Sequence, residues 1–437
     1  LGAATVSVAG PLLTYGGLLM TEALIYPAST WALLACARAL ERPTVARQGV
    51  FLLAVTVAAS VRMQALVLLA VYAGGALALA WLSRDRSNLR AAAPLALGVV
   101  ATLIAVAAIR VVRPGALDSA QLLGGYATLG TTTSFRGSLV ESFVTSVGVV
   151  AIVTAFAPAL ATGLLAIATA RGRDVPRATQ AFVAIAVTYT LVLSAQVALF
   201  AEDRLGHVSQ RYLLTIAPVL AVGLAAWVGA GAPRPRAASL AAGTGLIVLV
   251  ALVPRDELEP QTGLQDTIGT SILRHLDDDH VRPALVATSL LAAGLVVLVP
   301  RRFLVVSLCV LIGGLAVSSV DASRAVRELS RAEDLAARGT SPRDWLDRQA
   351  DGPVTLLVTG ERGWPVESRT FFWNESVRQV LALAEVGGGV PPGPTVVTID
   401  PDEGWVKTTD GQARLDRLVA APGTLVLDGE QVAVMPY

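Results

Sequence analysis

Apolar runs close to the length of a bilayer crossing recur along this chain, and the segments between them alternate between two kinds. The runs are roughly 1–13, 23–40, 49–61, 63–82, 91–112, 143–170, 178–200, 212–230, 237–253, 283–300 and 303–320. About 20 apolar residues cover ~30 Å of hydrocarbon, a length that most runs approach and 49–61 does not. Of 437 residues, 54% are hydrophobic and only 15% charged, against about a quarter charged in a soluble domain. High apolar content with so little charge predicts an α-helical polytopic membrane protein rather than a large soluble core.

One kind of connection is short and carries arginine: "RALERPTVARQ", "SRDRSNLR", "RGRDVPR", "APRPR" and "PRRF". The other is longer and carries acids, as in "AEDRLGHVSQR" and "PRDELEPQTGLQDTIGTSILRHLDDDHVRP". The excess of Lys and Arg in cytoplasmic loops assigns the first kind to the cytoplasm and the second to the outside. All the runs then fit one alternating path of ten to eleven transmembrane helices, with 49–61 and 63–82 turning back on each other near Arg62. That path leaves the C-terminal residues extracytoplasmic.

Composition changes after 320. "DASRAVRELSRAEDLAARG" reads as an amphipathic helix, "PVTLLVTG" and "TVVTIDP" as strands, and "SVRQVLALAEV" as a helix between them. "GTLVLDGEQVAVMP" reads as a hairpin turning at Asp428-Gly429. The expected organisation is a multi-span domain over 1–320 and a small extracytoplasmic α/β domain over 321–437. A net charge of +1 with no basic-aromatic patch gives no case for a nucleic-acid partner. Lys407 is the only lysine, and the Arg, Ala, Val and Gly usage fits a GC-rich bacterial source. Cys36 and Cys309 lie in apolar runs and read as packing residues.

Ionisable groups at membrane depth are costly, so each is a candidate for function. Glu22, in "TYGGLLMTEALIYPAST", falls at the outer start of the 23–40 helix; it serves there either as part of a site or, with Thr21 as N-cap, as a favourable charge at a helix N-terminus. Arg62 and Gln64, in "AASVRMQALVLLA", sit where two runs meet at the same face. The guanidinium fork suits a phosphate, and equally an interfacial anchor. "EDRLGHVSQRYLLTIAP" brings His207, Arg211 and Tyr212 into a helix from the outside, with Arg204 nearby. His207 and Arg211 are four apart, as on one helix face. "RHLDDDH" offers Asp277, Asp279 and His280 as weak candidates for a divalent cation, against the plainer reading of a solvated loop. No Ser-His-Asp, Cys-His, CxxC or HExxH arrangement is found.

On these segments the chain resembles the GT-C type membrane glycosyltransferases, in the manner of protein mannosyltransferases and aminoarabinose transferases. "PLLTYGGLLMTEALIYPASTWALLACARALERPT" is similar to the segment after their third helix, "ASVRMQALVLL" to their next outward turn, and "SQRYLLTIAPVL" to their Arg-Tyr helix start. The resemblance runs through most of 1–320. It implies inverting transfer of a sugar from a polyprenyl-phosphate carrier to an extracytoplasmic glycan, lipid or protein acceptor at the bacterial cytoplasmic membrane. On that basis Arg62, His207 and Arg211 would face the lipid phosphate, with Gln64 and Tyr212 beside them and Glu22 lining the cavity. The family's main catalytic acid lies in its first extracytoplasmic loop, which has no counterpart here. The expectation is therefore an N-terminally truncated, inactive fragment whose catalytic base is unknown. A multi-span transporter, or a non-catalytic membrane partner in cell-envelope polymer assembly, are the competing expectations.

Overall fold

A computed structural model describes residues 22–99, 139–258 and 270–338, apart from 86, 88, 96, 173–174, 202–206, 271–272 and 274. Beyond these it describes 344, 347–348, 354–359, 373–383, 398–400, 405–408, 411–414, 418–421, 424–427 and 431–435. The expected run 1–13, residues 100–112 of another, Thr21, Arg204 and Arg274 lie outside the described residues. The chain divides into two compact units, Leu1–Val326 and Arg327–Tyr437, where the sequence places the boundary at 320/321.

The first unit is helical: α1 Glu22–Glu41, α2 Val45–Val61, α3 Met63–Ser83, α4 Leu139–Val153, α5 Ala157–Ala170, α6 Arg177–Phe200, α7 Gln210–Gly229, α8 Arg236–Ala251, α9 Asp278–Val297 and the part up to Val326 of α10, which spans Arg301–Arg338. Among the described residues, α3, α6, α7 and most of α9 are long and apolar enough to cross a membrane, and the bent pair α4–α5 adds a fifth if it is one span. The chain is a helical, multi-pass membrane-embedded protein. Leu53, Trp81 and Leu291, on α2, α3 and α9, are well exposed, a surface that suits lipid.

Lipid removes most of the hydrophobic drive between helices, so close packing of small residues takes over. Gly74 on α3 faces Thr188 on α6, where an added Cβ would lie 2.6 Å from the Thr188 methyl. Gly223 on α7 faces Thr162 on α5 in the same way, tightly enough that an added Cβ would overlap the threonine side chain. Phe51 on α2 stacks on Tyr72 on α3 with ring centroids 5.2 Å apart. These two residues stand almost equally far on either side of Arg62, so α2 and α3 fold back on each other at that residue, as the sequence predicts.

The connections rich in arginine are tied together by hydrogen bonds. Arg177 Nε, at the start of α6, donates to the Glu41 carbonyl at the end of α1 (2.7 Å), and Arg47 Nη1 donates to the Arg38 carbonyl (2.9 Å). Arg234 donates to the Val299 carbonyl, and its guanidinium lies over the Trp227 ring. These bonds satisfy carbonyls at helix C-termini, where cations are favoured.

Three expectations change. The run 143–170 is two helices, α4 and α5, bent by 111°. Pro158 lies in the first turn of α5, and in a continuous helix its ring would clash with the Thr154 carbonyl. The chain escapes through Ala155 (φ 54°) and Phe156 (φ 63°). The polar helix expected after 321 is the continuation of α10, since no proline interrupts Arg301–Arg338 and Gly313 and Gly314 are accommodated within it. "SVRQVLALAEV" contains a strand, not a helix.

The second unit contains strands β1 Val354–Thr359, β2 Val377–Leu383, β3 Thr398–Asp400, β4 Trp405–Thr408, β5 Gly411–Arg414, β6 Leu418–Ala421, β7 Thr424–Leu427 and β8 Gln431–Met435. Five pair in the order β2-β1-β8-β7-β6, and β3-β4-β5 form a separate sheet. β1 is parallel to both β2 and β8, so long-range pairing decides the state of 377–383 over its helical spacing. β7 and β8 are antiparallel, with Leu427 opposite Val432, on either side of the turn expected at Asp428-Gly429.

Candidate functional site

Several helix ends meet around Tyr212. α2 ends at Val61, and Arg62 leaves the helix in an extended conformation (φ −157°) while its N–H still bonds the Ala58 carbonyl at 2.9 Å. The first turn of α3, Met63–Leu66, is a 3₁₀ turn that brings Gln64 to the same place. α7 starts at Gln210 after an extended Ser209. Phe200, the last residue of α6, meets the Tyr212 ring edge-to-face with centroids 5.6 Å apart. From α1, the Tyr26 hydroxyl donates to the Arg211 carbonyl at 3.1 Å. The ends of three candidate spans, α3, α6 and α7, therefore lie together.

The chemistry of this meeting point is cationic. The Arg62 guanidinium carbon lies 4.5 Å, and that of Arg211 4.8 Å, from the centre of the Tyr212 ring. Arg211 Nη2 also donates to the Tyr212 hydroxyl at 2.9 Å. Such stacking is worth ~0.5–2 kcal/mol per cation, and it holds two like charges close together. Arg62 stands between the C-terminus of α2 and the N-terminus of α3, and Arg211 lies in the first turn of α7, so helix dipoles of both signs meet there. Two guanidiniums converging on one ring bring together donors of the kind that bind anions. Each guanidinium carries five N–H donors in a planar fork matched to phosphate or carboxylate.

Arg62, Gln64, Arg211 and Tyr212 all line one shallow recess, together with Tyr26 and Ser29 of α1 and Tyr189 and Thr215. Its free volume is ≈20 Å³, room for about one water, so a larger anion would engage the arginines from the mouth. Hydrogen bonds stiffen the wall: the Tyr189 hydroxyl donates to Thr215 Oγ1 at 2.7 Å, and Thr215 in turn bonds the Tyr212 carbonyl. Tyr26, Ser29, Tyr189 and Thr215 escape sequence reasoning because they are neutral residues scattered over three helices. The only local signal was tyrosine at membrane depth.

Glu22 opens α1 one turn before Tyr26, and its side chain lies outside the described residues. His207 does not join the recess. It precedes α7, separated from Gln210 by extended backbone, so the four-residue spacing to Arg211 does not place the two on one helix face. The segment is held elsewhere: the Val208 N–H donates to Glu257 Oε2 at 2.6 Å, and Gln210 Nε2 donates to Thr270 Oγ1 at 2.8 Å.

The acid run also spreads apart. His275 Nε2 meets Asp321 Oδ1 on α10 at 2.8 Å. His280 Nδ1 lies 3.8 Å from Asp277 Oδ2 on the same turn, with both side chains well exposed. Asp279 faces a different cavity. Among the described residues no three His, Cys, Asp or Glu side chains converge as a metal site. No family model matches this chain, and no curated protein or solved structure matches it.

Proposed function

We propose that this chain is a GT-C type membrane glycosyltransferase that takes a sugar from a polyprenyl-phosphate carrier and passes it to an extracytoplasmic acceptor. The observation that carries the reading is the pairing of Arg62 and Arg211 on Tyr212 at the ends of three candidate spans. A lipid-linked sugar keeps its phosphate at headgroup depth, and that phosphate gains negative charge as the glycosidic bond breaks. Cationic donors fixed at that point favour the departing group more than the bound substrate, which is the condition for accelerating transfer. Gln64 and the Tyr212 hydroxyl would orient the phosphate, and Glu22 would line the acceptor side. The general base is not among the residues assigned.

The same reading takes the path as ten to eleven helices in a bacterial cytoplasmic membrane, with the arginine-rich connections inside. It takes 327–437 as an extracytoplasmic α/β domain. The arginine-rich helix ends lie opposite the Tyr212 end along α1, α3 and α6, which supports that orientation.

One observation favours the transporter alternative: the break between α4 and α5, since transporters bind ligands at broken helices. The residues at this break offer little to a ligand. Ile152, Val153, Phe156 and Ala157 are buried apolar groups, and the Thr154 hydroxyl is bonded to the Val150 carbonyl at 2.8 Å.

Binding tests the proposal. The purified chain should bind a polyprenyl phosphate well above a polyprenol of equal length, and Arg62→Ala and Arg211→Ala should each weaken that binding about tenfold or more. Equal affinity for the phosphate and the alcohol, or indifference to both substitutions, would sink it.

A further inference from the structure

The arginine-rich connections fall into two groups by the bonds that tie them. Arg234 joins "APRPR" to the Val299 carbonyl, just before "PRRF". The other group comprises "RALERPTVARQ", "SRDRSNLR" and "RGRDVPR", which hold nine arginines against three acids, Glu41, Asp85 and Asp174. Arg177 Nε reaches the Glu41 carbonyl from the start of α6. Gln48 Nε2 donates to the Ala91 carbonyl at 3.0 Å, one residue beyond Arg90. Three stretches distant in sequence therefore meet at one place.

The acids there fall short of the cations. Glu41 is shared: its carboxylate lies 3.9 Å from Arg42 Nε and 3.7 Å from Arg47 Nη1, both long for charge-assisted hydrogen bonds. Asp85 is bonded to the Ser87 N–H and hydroxyl, each at 2.9 Å. Asp174 lies outside the described residues, and with it counted in full the arginines still outnumber the acids threefold. Arg38 stands exposed on the last turn of α1. Arg177 Nη2 is buried with no acceptor among the described residues, a costly state for a charged donor. Two of the cations are also fixed in place. Arg47 is held by the Arg38 carbonyl and Arg177 by that of Glu41, which uses one of five donors on each and directs the rest.

The surface beside these cations is apolar. Val45 and Val50, on the first turns of α2 to either side of Arg47, are exposed. Planar donor forks next to aliphatic side chains suit an amphiphile, with phosphate oxygens on the first and acyl carbons on the second. We propose that this cluster binds the phosphate of an anionic membrane phospholipid, between the α1–α2 connection and the start of α6, with its acyl chains along Val45 and Val50. The inference takes α6, a candidate span that begins at Arg177, as crossing the membrane, so that its first turn stands at a membrane boundary. It does not rest on the glycosyltransferase reading. Glu41 holds the same cations, so its carboxylate competes with the lipid phosphate.

The test uses the whole chain, delipidated in a non-ionic detergent and titrated with phosphatidylglycerol, phosphatidylcholine or glycerophosphoglycerol, the bound count read by native mass spectrometry. Phosphatidylglycerol should bind at least tenfold more tightly than phosphatidylcholine, whose phosphate carries its own cation. The Arg42 side chain is 73% exposed, so Arg42→Gln leaves the carbonyl bonds in place and should weaken binding about fivefold. Arg42→Gln combined with Arg47→Gln should weaken it more than tenfold. Glu41→Gln should tighten it severalfold, a gain that damage to the fold would not give. Arg302→Gln, at an exposed position in the other group, and Arg62→Ala at the Tyr212 recess should leave it unchanged. Equal affinity for the two lipids, wild-type affinity in the double variant, or no gain in Glu41→Gln overturns the site. A loss in Arg302→Gln as large as in Arg42→Gln means a diffuse basic surface and overturns it too. Binding of glycerophosphoglycerol as tight as that of the lipid overturns its assignment to a membrane lipid. A loss confined to Arg62→Ala places the anion at the Tyr212 recess and removes this site, whatever becomes of the sugar-transfer proposal.

Discussion

At the scale of single residues, the arrangement around Tyr212 makes the two arginines unequal. Arg211 stacks on the ring and bonds its hydroxyl, so its position is fixed twice. Arg62 reaches the ring from a different helix. Arg62→Lys keeps the charge but loses the planar fork and much of the stacking. It should therefore retain part of the phosphate affinity that Arg62→Ala loses, in the same polyprenyl-phosphate titration. Full wild-type affinity in Arg62→Lys would mean that charge alone matters there. A second residue-scale case lies in the C-terminal unit. Asp347 accepts the backbone N–H groups of Glu375 and Ser376, each at 2.8 Å. Partial burial pushes its carboxyl up, but hydrogen bonds from Ser376 and Glu375 outweigh that and hold it below its usual value of 3.8. A depressed folded-state pKa means that the stabilisation is complete above the ordinary carboxylate range and is lost as the pH falls through the depressed value. Hydrogen-exchange protection of the Glu375 and Ser376 amides should be flat above pH ~5 and fall only below pH ~4. Asp347→Ala should lose that protection at neutral pH, at a cost of about 1 kcal/mol or less for so exposed a group.

At the scale of elements, packing between helices depends on the absence of side chains at a few positions. Gly223→Ala would drive a methyl into Thr162, whose hydroxyl already bonds the Pro158 carbonyl at 2.8 Å. Overpacking of this kind costs about 1–3 kcal/mol, so thermal unfolding in detergent should drop by several degrees. The double variant Gly223→Ala, Thr162→Ala should recover part of the loss, because it removes the threonine hydroxyl that the new methyl would meet first. The same scale shows what the amino-acid sequence carries. Apolar length and arginine spacing make α2, α3, α6 and α7 readable, and the Arg62 turn follows from two runs too close for any other connection. The α4–α5 break is harder to see, because Ala155 and Phe156 take the left-handed backbone without glycine. The only sign was Pro158, which is compatible with a helix start or a kink. The spacing of His207 and Arg211 misleads because it implies a shared face only inside a helix, and α7 starts three residues after His207. Strand β2 was hidden for a different reason: its state is set by β1, about twenty residues upstream, and not by its own pattern.

At the scale of the whole molecule, the separation of charge along the helices makes orientation testable. Ser87 lies beyond the α3 end that carries Arg84, Ser60 lies at the opposite end beside Arg62, and both are exposed. In a background with Cys36 and Cys309 replaced by alanine, a cysteine at Ser60 should react with a membrane-impermeant maleimide on intact cells. One at Ser87 should react only after permeabilisation. The positive-inside rule requires this order, because the arginines at 38, 42, 47, 84, 171 and 177 would otherwise have to be translocated. A cysteine at Glu375, an exposed residue of the C-terminal unit, reports independently on the far side of α10. If α10 crosses the membrane once between Arg301 and the second unit, Glu375→Cys should label together with Ser60→Cys. Labelling of Glu375→Cys with Ser87→Cys instead would leave Arg301 and the C-terminal unit on one side, and α10 could not then be a span. Labelling of Ser87→Cys before Ser60→Cys would invert the whole path and put the Tyr212 recess on the cytoplasmic face. A sugar acceptor outside the cell could not reach it there.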